Sequence, residues 1–213
     1  LSPWALLPII GYLVWQRRHP GQHQALPRLL VVEIVSATSF LALYLQYGLT
    51  PQWGILICYF SLFLTIAMID LEHGLIPNRL VYPASPVAIL LTTFYPLGLA
   101  SGRMPLDSFL YSLLAGAIAF LILLIPALIW QGGMGWGDVK LAGLIGLATG
   151  FPGGLVALGL AIIGGGLTAI AFLACGVKKR REAIPFGPFL CAAALATLIW
   201  GQPIVNWYLG FIR

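Results

Sequence analysis

Apolar runs of a length suited to crossing a membrane follow one another along most of this chain, separated by short polar stretches. That pattern constrains the fold more than any single motif, because a spanning helix needs about 20 apolar residues. Only 8% of the 213 residues are charged and 60% are hydrophobic, with a mean hydropathy of +0.97. Soluble domains carry about 25% charged residues. The chain is therefore expected to be an all-α integral membrane protein, one polytopic transmembrane helical bundle of about seven spans, with no room for a separate soluble domain.

The expected spans cover 29–48, 53–69, 80–97, 106–130, 139–150 and 155–176, with a last one that opens after 184 and runs to 200. The run 139–150 is short for a crossing. Residues 1–28 read as an N-terminal remnant. Its stretch 1–15 is broken by Pro3 and Pro8 and suits an interface, while 16–28 is a polar loop with Arg17, Arg18, His19, His23 and Arg28. The chain starts on Leu, so its natural start is expected to be missing, and its beginning lacks the basic region of a signal peptide. After 200, Trp207 and Tyr208 suit a membrane interface.

The net charge of +5 is concentrated in loops. This reads as an orientation signal and as contact with lipid headgroups, and excludes nucleic-acid binding. With seven spans, one side holds nine basic residues: Arg17, Arg18, Arg28, Arg79, Lys140, Lys178, Lys179, Arg180 and Arg181. The other side holds two, Arg103 and Arg213. The richer side is expected to be cytoplasmic, and Asp70 and Asp138 both emerge there. The three cysteines, Cys58, Cys175 and Cys191, lie in apolar runs without Cys-x-x-Cys spacing and are expected to be reduced, packed thiols.

Two carboxylates stand out against this apolar background. Asp138 closes a block in which Gly132, Gly133, Gly135 and Gly137 fall within six residues, and Asp70 lies in Ile69-Asp70-Leu71-Glu72-His73. An Asp in a spanning helix costs roughly 2.5–3.5 kcal/mol, and glycines let another backbone approach closely. Two facing carboxylates cannot both ionise at close range, so they share a proton; that is the chemistry of aspartic proteolysis. The bland alternative pairs Asp138 with Lys140 and Asp70 with Arg79, or makes each a helix cap. The glycine block lacks the Lys-Ser/Thr ending of a phosphate loop.

Other residues have quieter expectations. Gly143 with Gly146, and Gly164 to Gly166, read as helix-packing surfaces. His73 is expected to be solvated, and Asp107 to complement a helix start. Glu72 either faces water or recognises a cationic substrate, and Glu33 either pairs with Arg28 or contacts substrate. Lys178 to Arg181 read as a topological anchor.

Three blocks in order resemble the prepilin peptidases, membrane aspartic proteases of the Gly-x-Gly-Asp class. They are Ile69-Asp70 with Ile76-Pro77-Asn78, then Gly135-Trp136-Gly137-Asp138-Val139-Lys140, then Ile184 to Phe189 with its Pro-Phe-Gly-Pro core. Pro27-Arg28 with Val32-Glu33 is a weaker fourth match, so the resemblance spans roughly residues 27–200. It implies that Asp70 and Asp138 are the catalytic pair of a transmembrane peptidase domain over 29–213. Gly135 and Gly137 are expected to let the substrate backbone lie close to that pair, and a basic leader to sit on anionic lipid or near Glu72 or Glu33. The implied partners are prepilins or pseudopilins, cut after a leader glycine at the cytoplasmic face of a bacterial inner membrane. Lipid is the other expected partner; the oligomeric state is left open.

Proteolysis of this kind needs no cofactor and no metal, whereas methylation of the new N-terminus, which many members perform, would use S-adenosylmethionine. The family's additional N-terminal span and paired Cys-x-x-Cys segment do not occur in these residues, so zinc is not expected. Two alternatives stay open. One is another Gly-x-Gly-Asp protease that cuts within helices, which the missing Tyr-Asp dipeptide argues against. The other is a transporter or non-catalytic assembly protein, for which carboxylates deep within spans and an internal repeat would be expected.

Overall fold

The computed structural model describes residues 25–129, 135–175 and 185–212. The expectations for residues 1–24, Gly132 and Gly133, the basic stretch 178–181, and the side chains of Arg28, Tyr208 and Arg213 lie outside the described residues. Among those described, seven α-helices and no strand are found. They are α1 (Ala25–Tyr47), α2 (Pro51–His73), α3 (Asn78–Phe94), α4 (Pro105–Ile129), α5 (Trp136–Thr149), α6 (Gly153–Ala174) and α7 (Gly187–Ile212), with a 3-10 turn at Gly98–Ala100. Among the described residues, four helices are long and apolar enough to cross a membrane: Pro51–His73, Pro105–Ile129, Gly153–Ala174 and Gly187–Trp207.

The bundle is organised around α5. At about 1.5 Å per residue this helix is about 21 Å long, too short for a hydrocarbon core of about 30 Å. It is enclosed by α3, α4, α6 and α7. Val139, Leu141, Ala142, Leu144, Ile145 and Ala148 are all buried, covering every side. A helix apolar all round belongs in an interior. Small residues bring the neighbours close. A Cβ on Gly146 would collide with the Ala115 carbonyl, and one on Gly116 would stand 2.6 Å from Leu147 Cδ2.

The buried end of α5 is closed by other helices. The last carbonyls of a helix have no partner of its own, yet Leu147 O accepts from Ser112 Oγ at 2.6 Å and from Thr92 Oγ1 at 3.0 Å. Thr92 Oγ1 also lies 3.0 Å from Ala148 O, so α3 and α4 supply the cap that an exposed end would take from water.

Several boundaries differ from the sequence expectation. Helix α2 continues past Asp70 to His73 and stops at Gly74, whose φ of 60° is left-handed and whose N–H returns to Asp70 O. Helix α7 does not end at 200 but kinks there, with Trp200 at φ −118° and ψ 16°. Pro203 explains the kink, because it offers no N–H to the carbonyl four residues earlier and its ring crowds that carbonyl. The cysteines are free, but only Cys191 is packed inside; Cys58 and Cys175 lie on outward helix faces. Asp107 falls in the first turn of α4, as expected for a residue that complements the dipole. Of the glycine triplet in α6, Gly165 meets Phe186 and Gly164 meets Phe189, whereas Gly166 faces open space.

Packing of this kind separates glycines by function. Gly146→Leu is expected to destabilise the protein by about 1–3 kcal/mol through overpacking against α4. Gly166→Ala should be neutral or stabilising by up to about 1 kcal/mol, since it gains helix propensity without meeting anything. Thermal unfolding in detergent measures both, and equal effects would contradict the enclosed position of α5.

Candidate active site

Three helices meet at one end of the bundle with their inward stripes in the same register. On α2 the buried residues Tyr59, Phe63 and Ile66 lead at helical spacing to Asp70. On α5 the stripe Thr149, Ile145 and Ala142 leads to Asp138, and on α7 Leu198, Ala194 and Cys191 lead to Gly187. Residues spaced i, i+4, i+7 share a helix face, so each stripe delivers its terminal residue to the same region.

Asp70 is 5% exposed. Its Oδ2 accepts a hydrogen bond from the Gly187 N–H at 3.0 Å. Gly187 must be glycine for this approach: a Cβ there would stand 2.6 Å from Asp70 Oδ2 and 2.9 Å from its Cγ. Pro188 in the same first turn has no N–H, which suits a position where helix donors are unpaired. The N–H that α7 leaves free at Gly187 is the one Asp70 uses.

Asp138 is half-buried in the first turn of α5, three residues after the N-cap Gly135. Its carboxylate turns back toward that cap, with Oδ2 3.1 Å from where a Gly135 Cβ would be. This is the N3 arrangement in which a carboxylate satisfies the cap's N–H. Asp138 lies outside the four helices that can cross the membrane, and its pKa is pushed up to about 6. Burial is the main cause and the Asp70 charge the second, partly offset by the Gly135 N–H. The Asp70 charge thus acts on Asp138 in the direction expected between nearby carboxylates.

The expected ion pairs do not form. Among the described residues neither aspartate has an ion-pair partner. Lys140 donates instead to Asn78 Oδ1 at 3.1 Å and sits over the Tyr82 ring, 5.3 Å from its centroid. The reason is geometric, since residues two apart on a helix point in different directions. Gly137 is bare because Ile76 occupies the space: a Cβ would lie 2.8 Å from Ile76 Cβ. All three sequence blocks thus interlock, through Asp70 with Gly187, Ile76 with Gly137, and Asn78 with Lys140.

The other expected site residues fare differently. Gly135 is exposed beside Asp138. The side chains of His73 and Glu72 retain 25% and 7% of their exposure, with Nδ1 3.9 Å from Oε2. Neither is a freely solvated side chain, because α2 continues as helix and turns them against the bundle. Glu33 is half-buried on α1, which packs on α2. Among the described residues no hydrogen bond or ion pair ties it to either aspartate. No cluster of three or more His, Cys, Asp or Glu residues able to hold a metal occurs among the described residues. Sequence reasoning missed the individual roles of Gly187, Lys140 and Asn78, for which membership of the blocks was the available signal.

The type IV leader peptidase family profile matches residues 56–173, which contain both aspartates. The chain belongs to the type IV leader peptidase family. A relative in Bacillus subtilis, a prepilin leader peptidase/N-methyltransferase, is 30% identical over 212 residues, covering 98% of this chain and 81% of its own. Proteins of the same description in Aeromonas salmonicida and Pseudomonas aeruginosa are 29% and 28% identical, covering 97% and 99% of this chain and 70% and 72% of theirs. No solved structure matches.

For this peptidase, Gly187→Ala is expected to push the Asp70 carboxylate aside and lower kcat about 100-fold, the order expected for an ångström-scale misplacement. Cleavage near the wild-type rate would show that the Gly187 contact does not set Asp70's position. A second expectation follows from linkage. A carboxyl whose folded pKa is raised contributes stability that is present below its unfolded pKa and lost as pH rises through about 6. Asp138→Asn should therefore raise the melting temperature at pH 7.5, and this gain should shrink toward pH 4.5; a gain independent of pH would refute the buried-carboxylate account.

Proposed function

We propose that the protein is an aspartic endopeptidase that removes the leader peptide from prepilin-like substrates, with Asp70 and Asp138 as its catalytic pair. The observation that carries this reading is the convergence of the α2 and α5 stripes that end in a buried Asp70 and a half-buried Asp138, beside the Gly187 N–H and without a cationic partner among the described residues. A structural role would call for such a partner, because a buried charge is stable only when paired.

The pair holds one proton and titrates as a unit. Its ionised carboxylate takes a proton from a water lying between the two groups, and the hydroxide attacks the scissile carbonyl carbon. The protonated carboxylate donates to the carbonyl oxygen as the tetrahedral intermediate forms. Collapse of that intermediate breaks the C–N bond, with the proton taken from water passing to the leaving amine. The Gly187 N–H fixes one oxygen of the Asp70 carboxyl in place. Gly135, exposed beside Asp138, is the proposed place for the substrate backbone to lie close. Gly137 has its bare face filled by Ile76, which supports a packing role for it. Glu33, half-buried on α1, is the proposed contact for positive charge on the leader, since the Glu72 side chain is only 7% exposed.

Charge supports an orientation with the site toward the cytoplasm. Arg79 and Lys140 belong to the site end of the bundle, whereas Arg103 sits at the other, donating to Phe151 O at 2.6 Å. The proposed location is a bacterial cytoplasmic membrane. The relatives' description also names N-methylation. A cavity of about 220 Å³ lies at the far end of the bundle, lined by Tyr47, Gln52, Ser101 and Gln202 among others. It has no charged group to pair with the amino-acid end of S-adenosylmethionine and does not fit that cofactor.

Asp70→Asn and Asp138→Asn each keep the side-chain size and remove the proton chemistry. Each is expected to reduce cleavage of a type IV prepilin to background while the protein still unfolds cooperatively. Normal cleavage by either variant would make that aspartate structural and end this mechanism.

A further inference from the structure

We propose that Lys140 is a positioning residue for the aspartate pair, acting through Asn78 rather than through substrate or either carboxylate. The inference rests on the catalytic pairing proposed above. The problem it addresses is geometric. Asp70 and Asp138 belong to different helices, and α2 and α5 do not run on from one another in the chain. Asp138 stands on the first turn of α5, immediately after residues that give that turn no side-chain anchor, Gly135 and Gly137. Asp70 stands one turn before Gly74, where α2 ends in a left-handed residue and the chain crosses to α3. What holds the start of α5 against that crossing determines how far apart the carboxylates lie.

Two contacts do so. Ile76 fills the bare face of Gly137, with a hypothetical Cβ only 2.8 Å from Ile76 Cβ. Lys140 Nζ reaches across to Asn78 Oδ1 at 3.1 Å, with its ammonium over the Tyr82 ring at 5.3 Å from the centroid. The first contact is apolar and resists only compression. The second is a charge-assisted hydrogen bond reinforced by a cation–π contact, and it is directional. Lys140 directs its charge to neutral partners, Asn78 and Tyr82, and not to either aspartate. A lysine two residues from a catalytic carboxylate that nevertheless binds an amide on another helix is suited to orienting, not to neutralising.

The test measures prepilin cleavage by the full chain in detergent, with kcat and KM determined separately. Lys140→Met keeps a side chain of similar length and removes both the donor and the cation over Tyr82. It is expected to lower kcat about tenfold with KM unchanged within about twofold, the pattern of lost orientation rather than lost binding. Asn78→Ala should do the same, and the double variant should be no worse than either single, because both remove one interaction. Lys140→Arg, which retains a donor, should recover most of kcat. Should Lys140→Met fail to fold, the Asn78→Ala and Lys140→Arg results decide the matter by themselves.

An unchanged kcat in Asn78→Ala would overturn the proposal, as would a rise in KM alone in Lys140→Met, which would mean that the ammonium meets the substrate. Additive losses in the double variant would overturn it too, since the two residues would then act separately. Asp70→Asn in the same assay separates this from the underlying reading. Its loss of activity beside a normal Lys140→Met would overturn only the role of Lys140, whereas its retention of activity would overturn the aspartate pair itself.

Discussion

Everything in this fold depends on enclosing a helix that is too short to cross a membrane and too apolar to face water. Helix α5 has no polar stripe, so each of its sides must find protein, and its C-terminal carbonyls must find donors away from solvent. The glycine and alanine contacts with α4 satisfy the first need, and Thr92 and Ser112 satisfy the second. With its far end closed in this way, α5 can project its N-terminal turn, and with it Asp138, toward the end of the bundle where α2 and α7 also present their inward stripes.

The chemistry follows from what the enclosure excludes. Asp138 gives up part of its hydration and feels the charge of a second carboxylate, with no cation among the described residues to relieve the pair. Such an arrangement is unfavourable as architecture and useful as a proton-sharing device. Among the described residues, the direct aid to Asp70 is a single backbone N–H from Gly187. It comes from the first turn of a helix, where donors are free and the dipole favours negative charge.

Much of this was legible in the sequence. Runs of apolar residues set out the helices, and Asp70 and Asp138 stood out against them as isolated carboxylates, whereas the block around Gly187 was marked only by the family resemblance. The stripes from Tyr59 to Asp70, from Asp138 to Thr149 and from Gly187 to Leu198 were also present as spacing, but apolar residues on every side of these helices masked that periodicity. Asp70's place inside α2 could not be read, because the helix continues through Glu72 and His73 until Gly74 stops it. The partner of Lys140 was unreadable for a different reason. Its choice of Asn78 over Asp138 depends on how two helices pack, and no local pattern records that.

Helix α7 touches both ends of the molecule. Gly187 meets Asp70 at one end, while at the other Gly201 abuts Leu99 closely enough that a Cβ would fall 3.1 Å from its Cγ. Between these fixed points the helix acts as a ruler of about 21 Å. Its intervening side chains can be exchanged for others of similar size, but its residue count cannot change. One residue gained or lost would turn the first turn by about 100° and shift it by about 1.5 Å, aiming the Gly187 N–H away from the carboxylate. Length, more than composition, is therefore the property of this segment that descent must preserve.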